Sequence, residues 1–189
     1  MRKNFFTIIV LLLVFINFSF VQAKNTYKLT NKDLKVLFPG AGHAYDAEYL
    51  FGKGFKNTFV ADFAETAFAN FTARVPNFPK GQFIVGDFFS IDQTFDLIIE
   101  QTFFCALSPN LRQAYAKHMH SILKPGGKLA GVLFTFPLTE SGPPFGGSVE
   151  EYKNYFEPYF TINVMEDCYN SITPRLGKEV FIILEKQNI

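Results

Sequence analysis

Two glycines and one carboxylate, Gly40, Gly42 and Asp62, have the types and the spacing of a nucleotide-binding pocket. The glycines form a Gly-x-Gly turn directly after one apolar run, and Asp62 ends the next apolar run. Such glycines let the backbone approach a ligand closely, and an acid at the tip of the second strand can accept hydrogen bonds from both hydroxyls of a ribose. The third glycine of the fingerprint of NAD-dependent oxidoreductases is replaced by Tyr45, which disfavours that class.

An alternation of strand and helix patterns positions these residues. We predict strands over 35–38, 58–62, 82–85, 94–99, 128–136, 160–166 and 179–185, helices over 44–54, 64–74, 109–123 and 149–156, and a tight turn at 124–127. The run 94–99 is apolar throughout, which is typical of a strand buried on both faces. The alternation, with two strands close together at the end, predicts a Rossmann-like α/β fold. Its seven-stranded sheet is mostly parallel with an antiparallel edge strand, and helices cover both faces.

The composition of the chain indicates one globular domain and argues against nucleic-acid binding and a metal site. The chain has 189 residues, of which 48% are hydrophobic, and this is enough for one domain with a sizeable core. A formal charge of +1 is not the excess of positive charge that is typical of proteins that bind nucleic acid. Cys105 and Cys168 are not in a Cys-x-x-Cys pair and are interpreted as reduced structural thiols. His43, His118 and His120 lack metal-ligand spacing, so we predict no metal site and place His118 and His120 on a helix surface.

The N-terminus forms a separate segment. Residues 1–23 combine a basic start, an apolar middle and a Val21-x-Ala23 end, as a secretory signal peptide does. An uncleaved anchor that associates with the membrane through residues 5–22 is the second interpretation, and a displaced gene start is the third. The predicted domains are therefore residues 1–23, a signal-like or anchor segment, and residues 24–189, the catalytic domain.

The order of motifs resembles class I S-adenosylmethionine-dependent methyltransferases. The motifs are the Gly-x-Gly turn, the acid after strand two, Gly86-Asp87-Phe88 after strand three, and Leu-Lys-Pro-Gly-Gly at 123–127 before strand five. More narrowly, the segments 39–42, 95–107, 142–145 and 150–152 resemble the thiopurine S-methyltransferase-like family, which includes thiol and halide methyltransferases. The resemblance covers Leu34 to Lys186.

The resemblance implies a cofactor, S-adenosylmethionine, and a role for each matching residue. Gly40 and Gly42 would face its methionine part, and Asp62 would bind its ribose. Asp87 would hold the adenine amine, and Phe88 would stack on the adenine ring. Gln101 would reach the cofactor carboxylate or the acceptor. Glu100 is the candidate general base, and its alternative role is to orient the loop after strand four.

The implied function is transfer of a methyl group to a small thiol or a similar soft nucleophile by a monomer. Thiopurine enzymes place a basic residue at the position of Gln101, so an anionic thiopurine is disfavoured. The family also carries an N-terminal helix and a Trp-containing segment that cover the site, whereas this chain has no Trp and only residues 24–34 precede strand one. The alternative is therefore a truncated, inactive copy that is membrane-tethered or exported. The cofactor is cytoplasmic, so activity requires the cytoplasmic side.

Overall fold

The computed structural model of the chain describes residues 19–22 and 25–189, with side chains from residue 28 onward. The elements, in chain order, are β1 (Ser19–Gln22), β2 (Asn25–Lys28), β3 (Val36–Pro39), α1 (Tyr45–Gly52), β4 (Thr58–Asp62), α2 (Ala67–Arg74), β5 (Phe83–Val85), β6 (Phe95–Gln101), α3 (Arg112–Ser121), β7 (Leu123–Phe134), α4 (Val149–Phe156), β8 (Phe160–Asp167) and β9 (Glu179–Lys186).

A seven-stranded sheet organises the domain in the order β5-β4-β3-β6-β7-β9-β8. Strands β5, β4, β3, β6 and β7 pair in parallel, and β9 runs antiparallel to both β7 and β8. The predicted fold class is confirmed, with the antiparallel strand β9 lying next to the edge strand β8. Because the order reverses between β3 and β6, the loops after these two strands diverge and leave a crevice at the carboxyl edge of the sheet.

Two apolar clusters lie on opposite faces of the sheet. One contains the buried side chains of α1 and α2, including Leu50 and Phe71. The other contains those of α3 and α4, including Tyr115, Met119 and Phe156. Helices therefore cover both faces, and the inner strands are buried on both sides, as their apolar sequences indicate.

The ends of β7 and α3 differ from the prediction. Phe95 already pairs with Leu123, so β7 begins there, before the predicted turn at 124–127. Residues 124–127 themselves pair with neither β6 nor β9, and Gly126 has a φ of +72°, so the chain does turn at this point within the bounds of β7. The predicted helix over 109–123 begins as a 3₁₀ turn over 109–111 and ends at Ser121, since Leu123 already belongs to the sheet. Local patterns missed these ends because strand pairing, a nonlocal constraint, decides them.

The N-terminal prediction falls mostly outside the described residues. Residues 1–18 and 23–24 are not among them, so the signal-like or anchor segment and its membrane association stay predictions. The described part of that region, Ser19–Gln22, pairs with Asn25–Lys28 as an antiparallel hairpin. Within the described part of the chain, no helix has the length and apolar character needed to cross a membrane.

The close approach of β6 and β7 yields a stability prediction. A Cβ added at Gly131 would lie 2.0 Å from the backbone carbonyl oxygen of Glu100, an atom held in the sheet. We expect Gly131→Ala to lower the free energy of unfolding by about 1–3 kcal/mol in urea titrations, because the strands must separate. Gly81→Ala is the matched control, since a Cβ there meets no atom within 4 Å. Equal stability of the two variants would contradict the tight strand contact.

Candidate cofactor site

The loops that follow β3, β4, β5 and β6 surround two adjoining cavities at the carboxyl edge of the sheet. The larger has a volume of about 590 Å³ and the smaller about 190 Å³. The larger is lined by the end of β4 and by residues that follow β4, β5 and β6, namely Ala61, Asp62, Phe63, Gly86, Asp87, Phe88, Phe89, Phe103, Ala106, Leu107 and Leu111. The smaller is lined by the turn after β3, the start of α1 and the end of β6. Both cavities share Gly40 and Thr102, which lie where they meet.

Gly40 has a backbone conformation and a neighbour that together require glycine. Its φ is +58°, and a Cβ on it would lie 2.2 Å from the ring of Phe103. The aromatic ring of the β6 loop therefore packs directly on the turn after β3. This contact draws the two loops together at the junction between the cavities.

Asp62 ties the turn after β3 to the turn after β4. Its Oδ2 accepts a hydrogen bond from the backbone N–H of Gly42 at 2.9 Å, and its Oδ1 accepts one from the backbone N–H of Ala64 at 3.0 Å. A carboxylate has about four acceptor positions, so each oxygen can accept one more hydrogen bond. Asp62 is therefore oriented by the backbone while it lines the larger cavity.

Asp87 and Phe88 follow β5 and also line the larger cavity. The carboxylate of Asp87 accepts a hydrogen bond from the backbone N–H of Phe89 at 3.0 Å, which caps the short 3₁₀ turn over 88–90. Phe88 is buried, and its ring lies edge-on to His118 with centroids 4.7 Å apart and to Phe103 at 5.0 Å. His118 is thus half-buried in α3 and not at the surface, contrary to the prediction.

Phe63 is a residue of the site that the sequence analysis missed. It directly follows Asp62, lines the larger cavity and is 82% exposed. A large aromatic side chain left in water beside a cavity has free apolar area that a flat ligand could cover. Its position immediately after the acid of β4 was the available signal.

Gln101 and Thr102 end β6 beside the smaller cavity. Gln101 lines this cavity together with Gly40 and Gly42. Thr102 adopts a φ of +63°, which is rare for a residue with a branched Cβ, and its hydroxyl donates to the carbonyl of Gln101 at 2.6 Å. The chain turns sharply here, so that β6 ends at the junction of the two cavities.

Glu100 lies beneath this turn and lines neither cavity. Its Oε1 accepts hydrogen bonds from the backbone N–H groups of Phe103 at 2.7 Å and Phe104 at 3.0 Å. Its Oε2 accepts one from the hydroxyl of Tyr115 in α3 at 2.5 Å. The residue is 1% exposed, and burial raises its pKa to about 7, although the three hydrogen bonds oppose that rise. This geometry favours the alternative interpretation, in which Glu100 orients the loop after β6.

Together the cavities suit an elongated ligand with two different ends. The larger offers an aromatic ring, apolar walls and oriented carboxylates, and these groups can hold a flat heterocycle and a sugar with hydroxyl donors. The smaller is lined by the glycine turn, the first turn of α1 and the amide of Gln101. It is a more polar space for the other end of the ligand.

Comparison with known proteins agrees with this geometry. The model of a family described as Thiopurine S-methyltransferase (TPMT) matches residues 17–186. A protein of Arabidopsis thaliana described as "Probable thiol methyltransferase 2" is 32% identical over 151 residues, which cover 77% of this chain and 66% of that protein. Thiocyanate methyltransferase 1 of Brassica oleracea is 31% identical over 154 residues, with the same coverage. The matched part of the chain thus corresponds to slightly under two thirds of these relatives.

Solved structures show the same fold. The 1,6-didemethyltoxoflavin-N1-methyltransferase of Burkholderia thailandensis superposes with a TM-score of 0.68 at 17% identity, covering 82% of this chain and 72% of that one. That structure was determined with S-adenosylhomocysteine bound. The fold match, the crevice at the reversal of strand order and the family match over most of the chain agree with one another. The chain belongs to the thiopurine S-methyltransferase family.

Proposed function

We propose that this protein binds S-adenosylmethionine and transfers its methyl group to a small thiol or a similar soft nucleophile. The observation that carries the proposal is the carboxylate of Asp62. It lies at the tip of β4, is oriented by the N–H groups of Gly42 and Ala64, and lines the larger cavity in a chain of this family. An inactive fold is not favoured, because the residues that the cofactor needs are present and grouped together.

The residues of the larger cavity fit the adenosine half of the cofactor. Asp62 would accept hydrogen bonds from the ribose hydroxyls, and Asp87 would accept one from the adenine amine. Phe63 and Phe88 supply the aromatic walls between which a flat base can lie. Gly40 and Gly42 leave room for the remainder of the ligand in the smaller cavity.

The reactive group belongs to the cofactor, which supplies an electrophilic methyl on a sulfonium, so the protein mainly orients the reactants and excludes water. The junction of the cavities has the apolar ring of Phe103 on one side. A thiol has a pKa of about 8.5, so an appreciable thiolate fraction forms near neutral pH without a strong base.

The proposed class of acceptor follows the names of the relatives, which are described as thiol and thiocyanate methyltransferases.

The segment 142–145 was a candidate wall of the acceptor pocket and lies close to the β6 loop. The backbone N–H of Phe145 donates to the carbonyl of Cys105 at 2.7 Å. Cys105 is buried, and burial raises the pKa of its thiol to about 12, which keeps it protonated and poorly nucleophilic. We therefore assign Cys105 a packing role and propose no covalent enzyme intermediate.

Glu100 is proposed as a positioning residue. Its two oxygens hold the N–H groups of Phe103 and Phe104 and the hydroxyl of Tyr115. These contacts fix the ring of Phe103 against Gly40. Removal of the charge with retention of shape should therefore leave the chemistry largely intact.

The proposal is tested by calorimetric titration with S-adenosylmethionine and S-adenosylhomocysteine, comparing the wild type with Asp62→Asn. We expect the variant to lose about tenfold to a hundredfold in affinity, because one acceptor oxygen becomes a donor group. Glu65→Gln is the matched control, since it removes a nearby exposed charge and should bind as the wild type does. A wild type that binds neither ligand would refute the proposal. Binding would justify assays of methyl transfer to hydrosulfide, small thiols and thiocyanate.

A second prediction concerns Phe63. Its ring is almost fully exposed, so Phe63→Ala removes little packing from the folded protein. We expect an unchanged thermal midpoint and about a tenfold loss of affinity for S-adenosylhomocysteine. Leu176→Ala, at an exposed position that lines neither cavity, is the control. Wild-type affinity in Phe63→Ala would remove this residue from the site.

A third prediction uses the pKa of Glu100, which burial raises from 4.5 to about 7. Between these values the folded state binds a proton more readily than the unfolded state does, so the free energy of unfolding falls as pH rises from about 4.5 to about 7. Glu100→Gln has no titrating group at this position, so its free energy of unfolding should decrease less with rising pH than that of the wild type. Urea titrations between about pH 5 and about pH 8 measure this difference.

The kinetic behaviour of Glu100→Gln separates the two roles of the residue. For a positioning residue we expect kcat within about tenfold of the wild type, since the amide can still accept from the loop and donate to Tyr115. A general base contributes about a hundredfold or more. A loss of that size at unchanged cofactor affinity would therefore restore Glu100 as the base.

A further inference from the structure

Asp46 is a buried carboxylate that the site described so far does not use. It lies in the first turn of α1 and lines the smaller cavity, and it is only 9% exposed. In the part of the chain that the structure describes, no hydrogen bond or ion pair joins its carboxylate to another residue. The usual local explanation, capping of the helix, is also absent, because no side chain caps the start of α1.

An unpaired buried carboxylate is costly to the folded state. Burial alone raises the pKa of Asp46 to about 7, with no opposing contribution from a cation or a donor. Arg74, whose guanidinium lies over the ring of the preceding residue, Tyr45, is engaged elsewhere: it pairs with Glu48 at 2.6 Å and donates to the carbonyl of His43 at 2.5 Å. The smaller cavity thus contains a carboxyl group whose ionised form no cation of the described residues stabilises, and a bound cation would stabilise that form.

We propose that Asp46 binds the α-ammonium group at the amino acid end of S-adenosylmethionine. This inference rests on the proposed function and adds to it the residue that recognises one end of the ligand. The adenosine half fits the larger cavity, where Asp62 and Asp87 lie, so the amino acid end extends into the smaller one.

The ligand has a second cationic group, the sulfonium, and the positions of the two cavities indicate which of the two cations Asp46 binds. The sulfonium links the two halves of the molecule and would lie at their junction, which Gly40 and Thr102 form. Asp46 lines the smaller cavity alone, on the side of the glycine turn. In the same cavity the amide of Gln101 can donate to the ligand's α-carboxylate, so the two side chains match the two charges of an amino acid group.

The test compares three ligands by calorimetry in the full chain and in Asp46→Asn. S-adenosylmethionine carries both the ammonium and the sulfonium, and S-adenosylhomocysteine carries only the ammonium. 5′-Methylthioadenosine carries neither, although it has the same adenosine and sulfur. We expect Asp46→Asn to bind the first two ligands about tenfold to a hundredfold more weakly and to bind 5′-methylthioadenosine as the wild type does.

Two controls exclude a general effect on folding or charge. Glu65→Gln removes an exposed acid that lies outside both cavities and should leave all three affinities unchanged. Asp46→Asn should unfold thermally at the wild-type temperature or above it at about pH 8, because the variant no longer buries a charge.

Each other result would overturn the inference in a distinct way. Weaker binding of S-adenosylmethionine alone would assign Asp46 to the sulfonium. Equal weakening of all three ligands would indicate a structural role, and unchanged affinities would show that the carboxylate does not contact the ligand. A wild type that binds none of the three would refute the proposed function and this inference together. Wild-type binding of all three ligands, with no effect of Asp46→Asn on any of the three affinities, would refute the inference alone.

Discussion

The geometry of the site depends on the hydrogen bonds that the buried carboxyl group of Glu100 accepts. It lies at the end of the central strand β6, where the chain must leave the sheet and turn within a few residues. Two backbone N–H groups of that turn and the hydroxyl of Tyr115 donate to it. Without an acceptor below the turn these buried donors would be unsatisfied, which costs more than a surface hydrogen bond contributes. One side chain thereby joins β6, the following loop and α3.

The position of Phe103 follows from this arrangement. Its ring lies where a Cβ of Gly40 would be, and it packs against Phe88, so three loops from three different strands meet at one aromatic side chain. Asp62 completes the frame from the other side through the N–H of Gly42. The walls of both cavities are therefore held by a small number of contacts between loops, and these loops meet because the parallel strands that they follow end at the same edge of the sheet.

Three acids near the carboxyl edge differ because their surroundings differ. Asp62 is half-buried and accepts from two backbone N–H groups, which orient it. Glu100 is fully buried and accepts from three donors, which supports the positioning role that we propose for it. Asp46 is almost as buried and has no hydrogen-bond partner for its carboxyl group among the described residues, which leaves a free acceptor in a cavity. The donors around a carboxyl group thus decide its role. By our proposals, Asp62 binds the ribose, Glu100 positions the loop after β6, and Asp46 binds the ammonium group.

The sequence by itself determined the order of elements, the parallel sheet and the group of residues after β3, β4 and β5. These are local signals: apolar runs of strand length, a glycine turn, and an acid where a strand ends. Val149–Phe156 with Ser148 as its cap and β4 over Thr58–Asp62 were predicted with their observed bounds for the same reason.

Only the tertiary structure decided that Glu100 accepts hydrogen bonds from the loop after β6, whereas the carboxyl group of Asp46 has no such partner among the described residues. The burial of Glu100 under its own loop, the isolation of Asp46 and the exposure of Phe63 depend on neighbours that are distant in sequence. The extension of β7 back to Leu123 depends likewise on pairing with Phe95. Burial and partner choice are properties of packed neighbours, and spacing along one chain does not specify which groups meet across a sheet edge.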